Sequence, residues 1–165
     1  MGIFEHGHYS GKERSHILPL IHERLNLLPH YRDHFYGSHY SKIKFHRYFH
    51  HLNSSQALCI NLFYPLIAEH RLELITRFLQ LGMTSYPEAI FEKVSDLESG
   101  RRRTNFDFHL RYSDGTEVFF EVKYTERQFG KAPNDLEHQT KYSATYLPLL
   151  EKASHLAGKC RDREG

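Results

Sequence analysis

The sequence predicts an α+β fold, in which a small mixed sheet is built around one antiparallel hairpin and flanked by helices. Apolar and polar residues alternate strictly over residues 105–112 and again over 117–124, a pattern typical of β-strands. In the N-terminal half, apolar residues recur at helical spacing, which predicts that this half is mainly helical. A later apolar stripe predicts a helix that begins at Leu136 and is capped by Asn134 or Asp135.

The length and composition indicate one globular domain over residues 1–165. Within it we expect a helical, histidine- and aromatic-rich extension at 1–51, a core at 52–157 and a loose tail at 158–165. The formal net charge is only +2, so that any affinity for nucleic acid must come from local clusters of basic residues. A signal peptide and a transmembrane run are both absent from the sequence, which predicts a cytoplasmic protein without membrane contact.

The N-terminal segment is expected to be loose up to residue 11 and then helical up to residue 28. Pro29 should end this helix, and a further short helix is expected over 41–51. The helical stripe consists of Ile17, Leu18, Ile21, Leu25 and Leu28.

Histidine is unusually frequent, with 14 residues in the chain, most of them before residue 52. His46 and His50 are spaced to chelate a metal ion on one helix face, although a zinc site needs further ligands that the spacing does not supply. A basic and aromatic surface for nucleic acid over residues 30–51 is a second interpretation. Ordinary surface histidines are the third.

Two helices are expected before the sheet, over 53–64 and 66–81. A side-chain oxygen within residues 53–56 can cap the first, and Gly82 can cap the second. Pro65 either kinks the first helix or opens the second.

The first strand of the sheet is predicted at 89–94, with Glu92 pointing away from the face of Phe91. The hairpin follows it. Its apolar residues meet only if Phe106 faces Val122, Phe108 faces Phe120 and Leu110 faces Val118. This register needs a three-residue loop over 113–115 with a left-handed Gly115.

The same register places Asp107 opposite Glu121, with Lys123 on the same polar face. Two opposed carboxylates repel unless a proton, an ammonium group or a metal ion compensates them. The cluster is therefore either a solvated cross-strand ion network or a site for a divalent metal ion such as Mg²⁺.

Asp107 followed by Glu121-Val122-Lys123 on the next strand resembles the D…(D/E)-x-K signature of the PD-(D/E)XK nuclease superfamily, the fold of type II restriction endonucleases. Phe106 stands where many members have a proline. Residues 51–66, 91–96 and 119–130 are similar to a group of bacterial restriction endonucleases within that superfamily. The similarity spans residues 45–150.

The resemblance implies a DNA endonuclease that leaves 5′-phosphates, with a restriction-endonuclease-like core. Mg²⁺, or Mn²⁺ in its place, would be bound by Asp107, Glu121 and the carbonyl of Val122. Lys123 would orient the attacking water and stabilise the transition state. Glu92 would be the upstream acidic residue of the site, with Asp96 and Glu98 as nearby alternatives.

The resemblance also implies supporting residues around the site. Arginine forks suit phosphate oxygens, so that the loop before the hairpin is a candidate DNA contact. The candidates for nucleic-acid binding are Arg101, Arg102, Arg103, Gln139 and Lys141. Ser55, Gln56 and Asn61 are candidates for supporting the site from the helix behind it. DNA is the expected partner, with a homodimer as one option.

The superfamily core ends with a fourth strand, whereas residues 154–165 have no strand pattern. We therefore expect this strand to be missing. Two alternatives stay open: a catalytically inactive, truncated nuclease-fold protein that binds nucleic acid, and an assembly protein in which Asp107, Glu121 and Lys123 form an ion network.

Overall fold

The structure is a computed structural model that describes residues 6–9, 11–82, 85–96, 103–125 and 135–148. Contacts divide the chain into two compact units, Met1–Val94 with Thr104–Glu126, and Ser95–Arg103 with Arg127–Gly165. The first unit contains two antiparallel sheets and the helices around them, which confirms the α+β class.

The N-terminal segment begins with a small hairpin of strands β1 (Gly7–Tyr9) and β2 (Lys12–Arg14). A 3₁₀ helix then covers Leu20–Asn26. The helix predicted over 11–28 is therefore wrong. Ile17 is buried and bridges to His51, whereas Ile21 is 84% exposed, so that the apolar stripe does not pack on the core as one helix face.

Helix α1 covers Pro29–Gly37 and starts at the proline that was expected to end a helix. Proline suits the first turn of a helix because the N–H that it lacks has no partner there. A 3₁₀ helix at His39–Lys42 and turns at 47–50 occupy most of the segment predicted as a helix over 41–51, so that this prediction is also wrong.

Helix α2 covers Ser55–Ala68, and Ser54 caps it by accepting a hydrogen bond from the Ala57 N–H, as predicted. Pro65 lies inside α2 and does not open a new helix. Helix α3 is short, Glu73–Phe78. Gly82 does not cap it, because the chain turns out of the helix earlier, at Gln80 with φ +54°.

The main sheet has the order β3-β4-β5, with β3 at Glu88–Val94, β4 at Asn105–Arg111 and β5 at Glu117–Phe120. It is antiparallel throughout its described strands and not mixed. Phe108 pairs with Phe120 and Leu110 with Val118, as predicted, and Gly115 in the turn has φ +86°. Strand β5 ends at Phe120, four residues before its predicted end.

The core lies between the main sheet and helices α1 and α2. Phe108 is fully buried, and its ring stacks on Phe63 of α2 at 4.0 Å between centroids. Leu27, Phe35 and Phe49 from the first 51 residues belong to the same buried cluster. Burying such a side chain contributes about 1.5–3 kcal/mol, so that the N-terminal extension is part of what stabilises the sheet.

In the second unit, helix α4 covers Leu136–Lys141 and is capped by Asp135, which accepts from the His138 N–H as predicted. A π-helical turn at Tyr142–Tyr146 continues it. Residues 149–165, where the fourth strand was expected to be missing, lie outside the described residues. Among the helices that the structure describes, none is long and apolar enough to cross a membrane.

Candidate active site at the end of the main sheet

The site begins with an irregular position in the β3–β4 ladder. Phe91 pairs with Phe108 and Lys93 with Phe106, so that Glu92 lies opposite Asp107 between two regular pairs. Glu92 itself has φ +55°. A left-handed residue other than glycine inside a strand costs about 1–3 kcal/mol and is found where surrounding contacts enforce it, often at functional sites.

Those contacts hold the Glu92 carboxylate from two sides. Gln56 at the start of α2 donates from Nε2 to Glu92 Oε1 at 2.8 Å, and Asn105 Nδ2 donates to Glu92 Oε2. Gln56 is itself buried, donates to the Lys44 carbonyl at 3.1 Å and accepts from the His46 N–H at 2.7 Å. The carboxylate is thus fixed between α2 and the sheet.

The irregularity changes which face carries the carboxylates. Glu92 was predicted to point away from the face of Phe91, yet it bonds to α2, the helix that packs on that face through Phe63. Phe106 was predicted to share a face with Phe108, yet its ring contacts Phe119 at 4.6 Å. The alternation is therefore broken at Glu92 and Asp107, because the left-handed backbone of Glu92 interrupts the regular pleat.

Asp107 is half-buried and lies beside the other charged groups of the site. Val122 N–H donates to Asp107 Oδ2 at 2.6 Å, and the Cys59 thiol donates to the Asp107 carbonyl at 3.6 Å. Burial raises the pKa of Asp107, and the negative charges of Glu121 and Glu92 raise it further, against the lowering effects of the Val122 N–H and Lys123. The surroundings of Asp107 thus disfavour its charged form.

Glu121 and Lys123 lie just beyond the end of β5 and form an ion pair at 2.5 Å between Lys123 Nζ and Glu121 Oε1. Asp107 and Glu121 are not a ladder pair, because the described pairing stops at Phe108 and Phe120. The Val122 N–H bond to Asp107 instead connects residues 121–123 to β4. The charges of Glu121 and Lys123 both act on Asp107, although the strand that was expected to align them is shorter.

Cys59 and Asn105 are two neighbours that the sequence patterns did not single out. Cys59 is buried, and burial, followed by the charges of Asp107, Glu92 and Glu121, raises the pKa of its thiol. It is therefore a neutral side chain without nucleophilic character. Asn105 precedes Asp107 by two residues in β4, a spacing that could have identified it as a neighbour on the same strand face.

Asn61 and Ser55, both on α2, have different surroundings. Asn61 accepts from the Leu28 N–H and donates to the Asn26 carbonyl, both at 2.9 Å, so that it supports the turn before α1. Ser55 lines the same cavity as Asp107. Arg103, Gln139 and Lys141 belong to the second unit. Arg101 and Arg102 lie outside the described residues.

The donor set can be compared with the needs of Mg²⁺, which takes oxygen ligands and typically uses one or two carboxylates with water. Within the described ranges, no three His, Cys, Asp or Glu side chains are grouped closely enough to hold a metal ion. Asp107 with Glu121 offers carboxylate oxygens. Burial, and then the charges of Glu121 and Glu92, raises the pKa of Asp107, and a cation would offset both effects on the charged form. In its ligand chemistry the site fits a hard divalent ion.

Asp107 and Glu92 open into a cavity of about 960 Å³, which is also lined by Gln56 and by residues 43–48. Searches among curated proteins and among solved structures found no match. The family described as "Restriction Endonuclease associating with ARP" matches residues 2–164, and the chain therefore belongs to this restriction endonuclease family.

Proposed function

We propose that this protein is a metal-dependent endonuclease that hydrolyses DNA at a site of the PD-(D/E)XK type. The observation that carries the proposal is the half-buried Asp107, beside Glu92, Glu121 and Lys123, in the wall of a large cavity. Membership of a restriction endonuclease family supports DNA as the substrate.

The electrostatics support a bound cation. Burial raises the pKa of Asp107, and the charges of two further carboxylates, Glu121 and Glu92, raise it in addition. Partly buried like charges are unfavourable unless a proton or a cation compensates them. Asp107, Glu121 and the Val122 carbonyl are the proposed ligands of Mg²⁺ or Mn²⁺. When bound, the ion would lower the pKa of a water ligand and offset charge on the scissile phosphate.

The protein's own residues have distinct proposed roles. Lys123 brings an ammonium group to the metal-ligand cluster, where it can donate to the attacking water or to a phosphate oxygen. Glu92 is held by Gln56 and Asn105 and keeps a third carboxylate at a fixed orientation beside Asp107. Fixed orientation matters because small misplacements of catalytic groups cost large factors in rate.

DNA contacts are also proposed for Arg101, Arg102, Arg103, Gln139 and Lys141. The guanidinium groups would bind phosphates of the duplex, and the cut would leave 5′-phosphates. A homodimer is the form proposed to cut both strands of the duplex.

A plasmid nicking assay with Mg²⁺ tests the proposal. Asp107→Asn and Lys123→Gln should each reduce the nicking rate by at least about a hundredfold, because each removes a charge needed at the reacting phosphate. Asp114→Asn in the exposed β4–β5 turn and Lys12→Gln in the exposed strand β2 are matched controls and should cut like the wild type. Excess EDTA should abolish nicking.

Three results would count against the proposal. Nicking that survives both Asp107→Asn and Lys123→Gln would contradict the site. Absence of nicking by the wild type, together with salt-sensitive DNA binding, would favour a nuclease-fold protein that binds without cutting. Absence of both would favour the ion network of an assembly protein.

A further inference from the structure

The cavity beside Asp107 has two chemically different walls. One wall is acidic, with Glu92 and Asp107 from the sheet. The other is basic and aromatic and consists of Lys44, His46, Arg47, Tyr48 and His51, which we call the basic wall. At about 960 Å³ the space is as large as the pockets that enclose drug-sized ligands, and it exceeds what a metal ion and its waters need.

A second cavity of about 340 Å³ shares Tyr48 and His51 with the first and is lined further by Arg14 and His16. The basic side chains therefore continue beyond the first cavity. Tyr48 and His51 line both spaces, and positive groups lie on either side of them. Such a succession of cationic groups around partly exposed rings is typical of surfaces that follow a nucleic-acid backbone.

The rings of the basic wall are close to one another. Tyr48 lies 5.7 Å from His46 and 5.0 Å from His51 between ring centroids, and the Arg47 guanidinium lies 5.3 Å from the centre of the Tyr48 ring. His51 also contacts His50 at 4.5 Å and His16 at 6.3 Å. Burial, then the neighbouring histidines, lowers the pKa of His51, which favours its neutral imidazole and leaves the positive charge of the basic wall to Lys44 and Arg47.

The sheet's end and the basic wall are held in one arrangement by Gln56. Its amide bonds to the Lys44 carbonyl and the His46 N–H on one side and to Glu92 on the other. The distance between the basic wall and the acidic wall is therefore fixed by a buried side chain. A ligand that is complementary to the basic wall has an anionic part close to a flat, stackable part.

We propose that the basic wall binds an unpaired segment of a polynucleotide strand, with phosphates against Lys44, Arg47 and Arg14 and a base stacked on Tyr48. This inference rests on the proposed function, because Asp107 at the acidic wall is what would bring the scissile phosphate to one end of the segment. An unpaired strand is required because bases in a duplex are stacked on each other and cannot stack on a protein ring. DNA and RNA share this chemistry.

Fluorescence anisotropy in EDTA tests the inference separately from cleavage. The probes are a labelled DNA strand of about 12 nucleotides, the RNA strand of the same sequence and the blunt DNA duplex, a length within the range of known single-strand sites. We expect a single strand to bind at least about tenfold more tightly than the duplex. The tighter of the DNA and RNA strands identifies the natural ligand.

Two variants locate the binding. Arg47→Gln changes an exposed side chain, and Tyr48→Leu removes the stacking ring; each should weaken single-strand binding by at least about fivefold, as is usual for loss of one stacked base or a phosphate contact. Arg71→Gln, which changes an exposed arginine on the loop before α3, is the matched control and should bind like the wild type.

Equal or tighter binding of the duplex, or unchanged affinity in Arg47→Gln and Tyr48→Leu, would overturn the inference. These results are distinguishable from failure of the proposed function. A protein that binds single strands through Arg47 and Tyr48 but does not nick plasmid keeps the inference and loses the proposed activity. A protein that nicks plasmid but has no single-strand preference keeps the proposed activity and loses the inference.

Discussion

Gln56 Nε2 donates a hydrogen bond to Glu92 Oε1 at 2.8 Å, and this bond joins the start of α2 to the irregular position of β3. Gln56 and Glu92 are 36 residues apart in the chain. The same amide also bonds to backbone groups of Lys44 and His46. One buried side chain thus connects the helix, the sheet and the basic wall of the cavity.

Replacing Gln56 with leucine should destabilise the protein by about 2–3 kcal/mol, because the His46 N–H and the Lys44 carbonyl lose a buried partner. Chemical denaturation in urea measures the free energy of unfolding. Gln56→Glu provides the matched comparison: it keeps an acceptor for the His46 N–H but places a second carboxylate beside Glu92. Its loss of stability should shrink as the pH falls from 8 towards 5, since protonation relieves the repulsion. A Gln56→Leu variant as stable as the wild type would contradict the connection.

Glu92 should respond unusually to glycine and alanine. Both substitutions remove the carboxylate, but only glycine adopts φ +55° without strain. We therefore expect Glu92→Gly to be more stable than Glu92→Ala by about 1 kcal/mol, the reverse of the usual order in a strand. Thermal denaturation of the two variants measures the difference.

Lys93, the next residue of β3, supplies the control for Glu92. Its backbone is not left-handed, so that Lys93→Ala should be more stable than Lys93→Gly by about 0.5–1 kcal/mol. The same order at both positions would show that Glu92 is not held in a strained conformation.

The hairpin register was predictable from the sequence because it depends on local alternation and on the parity of a short loop. Phe108, Leu110 and Gly115 have the predicted places for that reason. The face of Glu92 was not predictable, because it depends on a left-handed residue that is stabilised by Gln56 from a distant helix. Long-range hydrogen bonds of this kind leave no periodic signal in the sequence.

The helix predicted over residues 11–28 was wrong for a different reason. The apolar residues of 17–28 recur at helical spacing, but Ile21 and Leu25 are exposed and only Ile17 among the three is buried. Helical spacing predicts a helix only if the stripe packs against something. Whether Pro29 ends one helix or begins the next could not be predicted either, since proline is equally suited to both positions.

The alternation predicts the face on which Tyr112 lies, but it does not predict the partner of its hydroxyl. Its ring is buried as predicted, and its hydroxyl lies 2.6 Å from Thr76 Oγ1, a buried hydrogen bond. Tyr112→Phe and Thr76→Val should each cost about 1–2 kcal/mol, because each leaves the other hydroxyl without this partner. The double variant should cost less than the sum by at least about 0.5 kcal/mol, measured by a double-mutant cycle in urea. Strict additivity would contradict the bond.

The charge of Asp107 connects the pH dependence of the protein's stability with the proposed metal site. Burial raises its pKa above the usual value of 3.8, so that the folded protein binds this proton more tightly than the unfolded chain does. The contribution of Asp107 to stability is therefore full below the unfolded pKa, and it is lost as the pH rises through the folded pKa. At neutral pH without metal, the charged carboxylate is unfavourable for folding.

Asp107→Asn removes that charge and keeps an oxygen that can accept from the Val122 N–H. In EDTA at about pH 7.5 we expect the variant to be more stable than the wild type by about 0.5–1 kcal/mol, a value reduced for the half-exposed position. The gain should shrink as the pH falls towards 3.8, the usual value, because the wild-type carboxyl with its raised pKa is then increasingly protonated. Millimolar Mg²⁺ should raise the melting temperature of the wild type and of Asp114→Asn but not that of Asp107→Asn, since only a ligand bound to the folded state stabilises it. Equal stabilisation of all three proteins by Mg²⁺ would remove Asp107 from the metal site, even if the variant gains stability in EDTA.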